Sequence, residues 1–526
     1  MTVDPVSLEV FKHLFVSVAE EMGVTLGRTA YSPNIKERRD YSCAVFDHSG
    51  RMVAQAAHIP VHLGSMPASV EAALASFEFA SGDIIIVNDP YLGGTHLPDI
   101  TLVAPVFIEQ NGDHTLVGFV ANRGHHADIG GMTPGSLPLS TELHQEGFII
   151  PPLKLAKEGL LNEEVIELLC RNSRTPTERR GDLSAQIAAI RTGEKRLQDV
   201  VARYGLGVAR EHMEALMDYS ERVMRASISD IPDGTYSFRD FMDGDGISDE
   251  PVPISVTITI DGDQAVADFT GTSEERKGCI NTPIAVAKSA MLYVFICLAQ
   301  DITIPSNDGC SRPLRLIVPD RCLLNPRPGH AVSGGNVETS QRIVDVLFGA
   351  LSKALPERVP AASQGTMNNL LVGGEHPEHN TSYVYYETIA GGLGARPTKD
   401  GLDAVQTHMT NTLNTPVEAL EFQFPLRVTR YNVRKGSGGD GLYKGGDGVV
   451  REMEFLAAAT VTIISERRRF EPFGLEGGAP GAPGENLLLR GGVEAFRLNA
   501  KHTVDVEPGD ILRISTPGGG GWAHKH

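Results

Sequence analysis

Two histidines each stand three residues before an aspartate, in His96-Leu97-Pro98-Asp99 and in His125-His126-Ala127-Asp128. Neutral imidazole and carboxylate are the ligands that divalent Zn, Mn or Fe accept where thiolates are lacking. Two His with one or two carboxylates also leave positions open for water or substrate. Both motifs sit in glycine-bearing loops, Gly93-Gly94-Thr95 before the first and Gly130-Gly131 after the second, with Asp40 and Asp89 in loops nearby. The same residue types cap turns, and for either motif alone that is the plainer reading. Together they point as readily to a metal site.

Two polar runs are candidates for substrate contact. Asn336-Val337-Glu338-Thr339-Ser340-Gln341-Arg342 follows Ser333-Gly334-Gly335 and reads as a glycine turn into a helix. Such a start is either simply capped or an anion site at the helix N-terminus. His408-Met409-Thr410-Asn411-Thr412, ahead of Asn414-Thr415-Pro416-Val417-Glu418, gathers polar groups that need partners if the loop is interior. Substrate contact and turn chemistry are evenly matched there. From these runs Asn336, Glu338, Gln341, Arg342, His408, Asn411 and Glu418 are taken as substrate-binding candidates.

Other patterns fail. Asp243-Gly244-Asp245-Gly246 begins like a calcium loop, but Ile247 occupies the third ligand position. Gly438-Gly439-Asp440-Gly441-Leu442-Tyr443-Lys444 lacks the order of a phosphate-cradling loop, and no G-x-G-x-x-G or G-x-S-x-G is present. The six cysteines include no C-x-x-C pair, which argues for buried reduced thiols.

The elements that must hold these residues can be read from periodicity. A helix capped by Asp4 carries Leu8, Phe11, Phe15, Val18 and Met22 on one face. Short strands are expected over 42–46 and 52–54, a helix over 67–79, and buried strands over 83–87, 102–107 and 115–121. Each His-x-x-Asp loop thus follows a strand. Residues 154–219 turn helical and charged, 255–260 and 264–269 alternate as a hairpin, and 284–298 form a helix. Glycine clusters punctuate short strands in the last third. The fold class expected is α+β: an N-terminal mixed α/β region with the metal loops (1–152), a helical subdomain (153–230), a central α+β region with the polar loops (231–430) and a glycine-rich β region (431–526).

Composition narrows the function. The chain has 526 residues, 41% hydrophobic and 21% charged, and its 47 Lys and Arg against 66 Asp and Glu give a net charge of −19. That balance repels nucleic acid and anionic membrane. Asp4, Glu9 and Lys12 interrupt any leader-like apolar run, and residues 290–299 are about half a bilayer span, so a cytoplasmic protein is expected.

The motifs also carry a resemblance. Asp4-Pro5-Val6-Ser7-Leu8-Glu9-Val10, Glu37-Arg38-Arg39-Asp40-Tyr41-Ser42-Cys43, the run from Asn88 to Asp99, Asn122-Arg123-Gly124-His125-His126-Ala127-Asp128, the two polar runs and the closing Gly518-Gly519-Gly520-Gly521-Trp522 resemble the hydantoinase B/oxoprolinase family. The resemblance implies a subunit of an ATP-dependent enzyme that opens cyclic amides such as hydantoins, 5-oxoproline or lactams. It implies a hetero-oligomer with a hydantoinase A-type partner that binds ATP on an actin-like fold. By analogy with relatives that carboxylate acetone or acetophenone, a divalent metal would be held by His96, Asp99 and His125, with His126 a rival for the third position and Asp40 a ligand or base. Asp128 or His126 would orient a ligand or move a proton. The same resemblance admits an alpha-type subunit of a biotin-independent ketone carboxylase, and a non-catalytic assembly subunit is the remaining alternative.

Overall fold

The computed structural model describes residues 3–56, 59–110, 112–299, 303–490 and 493–525. Helix α1 (Pro5–Thr29) starts where the Asp4 carboxylate accepts the Ser7 N–H at 3.0 Å, and Pro5 occupies the first turn. Phe11, Phe15, Val18, Met22 and Leu26 form its buried stripe. The short α2 (Pro33–Lys36) follows, capped by Ser32. Against α1 lies α5 (Pro176–Tyr204), so close that a Cβ on Gly193 would stand 2.4 Å from the Met22 sulfur. Glycine is what lets the two backbones approach.

The sheet that carries the candidate ligands has seven strands: β1 (Tyr41–Asp47), β2 (Met52–Gln55), β3 (Ile84–Val87), β4 (Asp99–Gln110), β5 (Asp113–His125), β6 (Leu153–Lys157) and β7 (Leu160–Leu161), in the order β2-β1-β5-β4-β3-β6-β7. One face shares a core with α1, α4 (Glu163–Arg171), α5 and α6 (Leu206–Ser229), the other with α3 (Ser65–Ser76). Covered on both faces, its strands read as unbroken apolar runs, as in Ile84-Ile85-Ile86-Val87. The expected helical stretch from residue 154 opens instead with β6 and β7, which extend this sheet before the helices begin.

A second sheet, β11-β10-β9-β8, is formed by β8 (Gly234–Met242), β9 (Val252–Asp261), β10 (Gln264–Asp268) and β11 (Leu314–Ile317). Alternation in β9 sends Ile254, Val256, Ile258 and Ile260 into a core with α7 (Ile284–Leu298) and α8 (Ser340–Leu351). A π-helical turn, Gly335–Thr339, precedes α8, and both are buried throughout. A Cβ on Gly335 would lie 1.8 Å from the Asn281 carbonyl oxygen, so this turn requires glycine.

The C-terminal region is two packed sheets. One orders β12 (Asn369–His376), β13 (Thr381–Thr388), β16 (Ala459–Ile464) and β19 (Lys501–Val506) as β13-β12-β16-β19. The other orders β14 (Leu426–Arg434), β15 (Gly448–Phe455), β17 (Glu485–Arg490), β18 (Val493–Leu498) and β20 (Ile511–Ser515) as β14-β15-β20-β17-β18, and the short α9 (Val417–Gln423) leads into it. Their facing side chains make one core. The architecture is α+β. Among the described residues no helix is long and apolar enough to cross a membrane. All six cysteines are unpaired; five are buried as expected, and Cys297 is exposed.

Candidate metal centre

Asp99 is the first residue of β4 and His125 the last of β5, and the hairpin register sets them directly opposite one another. His96 reaches the same point because its carbonyl accepts the Asp99 N–H at 3.1 Å, closing a turn. All three side chains are buried, with ligand atoms within 4.8 Å of one another. His96 Nε2 lies 3.3 Å from Asp99 Oδ2 without hydrogen-bond geometry, and His96 Nδ1, His125 Nε2 and Asp99 Oδ1 have no partner. Buried polar atoms are nearly always paired. Two imidazoles and a carboxylate left with unspent lone pairs around one point fit a divalent cation of the Zn, Mn or Fe type.

Residues from three regions fix this group. Asn34 in α2 donates from Nδ2 to the His125 carbonyl at 2.6 Å and stands 2.9 Å from its Nδ1. Arg38 donates to Asn34 Oδ1, to the Tyr386 carbonyl at 3.1 Å and to Thr388 Oγ1 at 3.0 Å. The Tyr386 ring, on β13, stacks on His125 with centroids 4.9 Å apart, and Arg38 lies over the same ring at 4.5 Å. The Tyr386 hydroxyl donates to Asn369 Oδ1, and the Asn369 amide donates to Glu338 Oε1 at 2.7 Å.

On the other side, Asp99 Oδ2 accepts the Thr95 hydroxyl at 2.5 Å and faces His62 Nε2 at 3.5 Å. Ser42 Oγ is 2.8 Å from His62 Nδ1 and accepts the Ile59 N–H at 3.3 Å. The Ser42 hydroxyl proton is then available to Nδ1, which leaves the His62 proton on Nε2, facing Asp99. Burial alone would raise the Asp99 carboxyl, but the facing His96 and His62 rings hold it well below the usual range. Burial pushes His125 well below the ordinary imidazole value, helped by the neighbouring His96. Both shifts keep the groups in metal-binding form.

Asp40, Asp99, His125 and Asn336 line one small buried cavity of about 20 Å³, room for a single ion or water. Burial raises the Asp40 carboxyl to about 7; Asp99 adds to the rise, while Arg38 and His96 oppose it. A carboxyl poised there can hold or release a proton near neutral pH.

The other sequence candidates are placed as follows. His126 points its Nε2 to Gln186 in α5 at 2.8 Å and stands outside the cluster. Asp128 accepts from the Gly130, Gly135 and Arg174 N–H groups and from the Arg174 guanidinium at 2.9 Å, clasping its own loop to the segment before α5. Asn336 lines the cavity with Nδ2 3.5 Å from Asp99 Oδ2, and Glu338 sits one layer behind it. Gln341 donates to the Thr407 carbonyl, and Arg342 is held among Asp240, Asp345 and Glu466. His408 lies beside Tyr293, its Nε2 3.9 Å from Asp345. Asn411 is exposed in an adjoining groove, and Glu418 faces solvent on α9. Sequence reasoning missed Asn34, Ser42, His62 and Tyr386, lone residues in separate segments.

The hydantoinase B/oxoprolinase family model matches residues 4–525. The chain belongs to the hydantoinase B/oxoprolinase family. Within it, the chain is 41% identical to a 5-oxoprolinase of Dictyostelium discoideum, covering 99% of this chain and 40% of that one. It therefore spans about two fifths of the length of such relatives. A Pseudomonas protein named as one of the subunits of a putative D-/L-hydantoinase is 33% identical, with 99% of this chain and 90% of the relative covered. Among solved structures, the ATP-dependent caprolactamase from Pseudomonas jessenii superposes with a TM-score of 0.91 at 30% identity, covering 100% of this chain and 92% of that one. Nucleotide-free acetone carboxylase shares the fold, with a TM-score of 0.87 at 20% identity over 99% of this chain and 76% of the other.

Proposed function

We propose that this family member is the ring-opening subunit of an ATP-dependent cyclic amide hydrolase, with a divalent cation held by His96, Asp99 and His125. The observation that carries the reading is the set of buried, unpartnered ligand atoms of His96, Asp99 and His125 gathered within 4.8 Å of one another. The likeness to a caprolactamase and to a hydantoinase component supports the substrate class. ATP would be bound by a hydantoinase A-type partner; 5-oxoprolinase relatives more than twice this length leave room for such a part. Use of cellular ATP would place the reaction in the cytoplasm.

In the partner, the amide oxygen would take the γ-phosphoryl group, making the ring carbon electrophilic. Water then forms a bond to that carbon, the ring C–N bond breaks, and a proton goes to nitrogen. The acyl phosphate left behind is cleaved by a second water, giving the amino acid and phosphate. When bound, a divalent cation supplies the Lewis acid that makes water nucleophilic near neutral pH. Asp40, a carboxyl that burial raises, would take the proton from water and return it to the ring nitrogen. Asn336 positions the reacting group in the cavity, His62 holds the Asp99 carboxylate, and Asn34 with Tyr386 fixes His125. Asp128 and His126 act through the loop that carries His125.

The test is to co-express the chain with its ATP-binding partner and measure ring opening and ADP release with lactams, hydantoins and 5-oxoproline, with and without bicarbonate. His96→Ala is expected to lose both bound metal and turnover. Retention of both by that variant would refute the proposal, and bicarbonate-dependent turnover of a ketone would replace it with carboxylation.

A further inference from the structure

Glu146 stands in the N-terminal region, yet two of the groups its side chain holds lie in the central one. It is wholly buried and follows the short turn Leu143–Gln145. Its Oε1 accepts the Val332 N–H at 2.8 Å, the Ser333 N–H at 3.0 Å and the Ser140 hydroxyl at 2.6 Å. Val332 and Ser333 lead into the π-helical turn that carries Asn336. The Val332 carbonyl accepts the Gly335 N–H at 3.0 Å and the Asn336 N–H at 3.4 Å, so fixing Val332 fixes Asn336 with it. Asn336 in turn lines the cavity, with Nδ2 3.5 Å from Asp99 Oδ2.

The backbone of Glu146 packs the other way, against the loop that follows His125. A Cβ on Gly131 would lie 2.7 Å from the Glu146 carbonyl carbon, and the Gln145 carbonyl accepts the Met132 N–H at 2.8 Å. One residue thus touches both the loop leaving a candidate ligand and the turn bearing Asn336.

We propose that Glu146 is a positioning residue for ring opening: its side-chain oxygen clamps Val332 and Ser333 and so sets where the Asn336 amide enters the cavity. The inference rests on the hydrolase reading above.

The bonds around the turn divide by what they anchor it to. The Cys279 carbonyl accepts the Gly334 and Gly335 N–H groups at 2.9 and 3.1 Å, which ties the turn to the central core. Glu146 supplies two bonds toward the metal loops, and the Ser333 hydroxyl adds a third to the Pro138 carbonyl at 3.2 Å. No main-chain carbonyl takes the Val332 or Ser333 N–H, and a buried N–H without an acceptor is costly. Burial raises the Glu146 carboxyl to about 7, and Oε1 can accept in either protonation state. The acceptor oxygen, and not the charge, is therefore what the clamp needs.

The test uses the complex with the ATP-binding partner. Glu146→Asp, one methylene shorter, is expected to slow single-turnover ring opening about 10–100-fold with KM and metal content little changed. Glu146→Gln keeps the acceptor oxygen and is expected to restore the wild-type rate. On an Asn336→Ala background, Glu146→Asp should cost nothing further, because the group it positions is gone. Hydrogen exchange of the full chain, read by mass spectrometry, should quicken over 332–336 in Glu146→Asp and stay unchanged over β4 and β5. Wild-type turnover in Glu146→Asp, an equal loss in Glu146→Gln, or the same loss again on the Asn336→Ala background overturns the proposal. If His96→Ala destroys turnover while Glu146→Asp matches wild type, only the positioning role fails. If exchange over 332–336 responds to Glu146 as expected but the wild-type complex opens no cyclic amide, the clamp stands and only the hydrolase reading fails.

Discussion

Replacing His62 by phenylalanine keeps the ring volume and removes the N–H that faces Asp99. Asp99 Oδ2 accepts the Thr95 hydroxyl at 2.5 Å and also faces His62 Nε2 at 3.5 Å, the Asn336 amide at 3.5 Å and His96 Nε2 at 3.3 Å. The His62 contact is lost and the others remain. Loss of a group that orients a metal ligand lowers metal affinity by about 10–100-fold. With Thr95 still in place the lower end applies, so zinc affinity should fall about tenfold, or ~1.4 kcal/mol. Stability should fall separately by about 1–3 kcal/mol, because the buried Ser42 hydroxyl loses its acceptor. The Ser42→Ala, His62→Phe double variant removes both partners and should recover most of that stability without recovering metal affinity. Zinc titration against a competing chelator reads the first quantity and urea unfolding the second. His62→Gln separates positioning from direct ligation, since its amide can donate to Asp99 and restore affinity. Wild-type zinc affinity in His62→Phe would falsify the positioning role.

Three further outcomes follow from the same geometry. Asp40→Asn should keep its metal, read by elemental analysis, and lose about 10²–10⁴-fold in single-turnover ring opening if Asp40 moves the proton. Glu338, pushed up to about 8 by burial and the neighbouring Glu466, stays protonated in the fold across a pH range where the unfolded chain has ionised. The fold therefore binds the extra proton, stability falls as pH rises from about 4.5 to about 8, and Glu338→Gln should flatten that fall in urea titrations across the window. Asp128→Ala strands the Gly130, Gly135 and Arg174 N–H groups and should cost about 2–3 kcal/mol of unfolding free energy, the half-exposed Arg174 guanidinium being re-solvated.

What the sequence made legible was local. The strands flanking both His-x-x-Asp loops were readable because each lies in an apolar run between glycine loops, and spacing placed both motifs at strand ends. Whether His125 or His126 joins His96 was not readable, because that depends on strand register, and a shift of one residue sends a side chain to the opposite face. The pairing of Asp99 with His125 brings His125 beside His96 and turns His126 to Gln186. His62 and Tyr386 carried no pattern, since each enters the site alone from a distant segment. The polar run before α8 misled for a different reason. Its helix is buried on every side, so Gln341 and Arg342 had to find internal partners, and in a sequence such residues look the same as groups waiting for substrate.

The regions that periodicity separates are joined at the site by bonds to single atoms. Arg38, from the N-terminal region, reaches Thr388 and Thr412, and its carbonyl accepts the Leu413 N–H at 3.0 Å. Asn336 comes from the central region to the edge of Asp99, and Tyr386 from the C-terminal sheet covers His125. Hairpin register and one turn in the seven-stranded sheet bring the three candidate ligand side chains to one point. Closing the cavity around them takes the rest of the chain. Under the proposed function, gathering the ligands and excluding water thus fall to different stretches of sequence, and a change at Met409 or Thr410, which line the cavity, acts through the second.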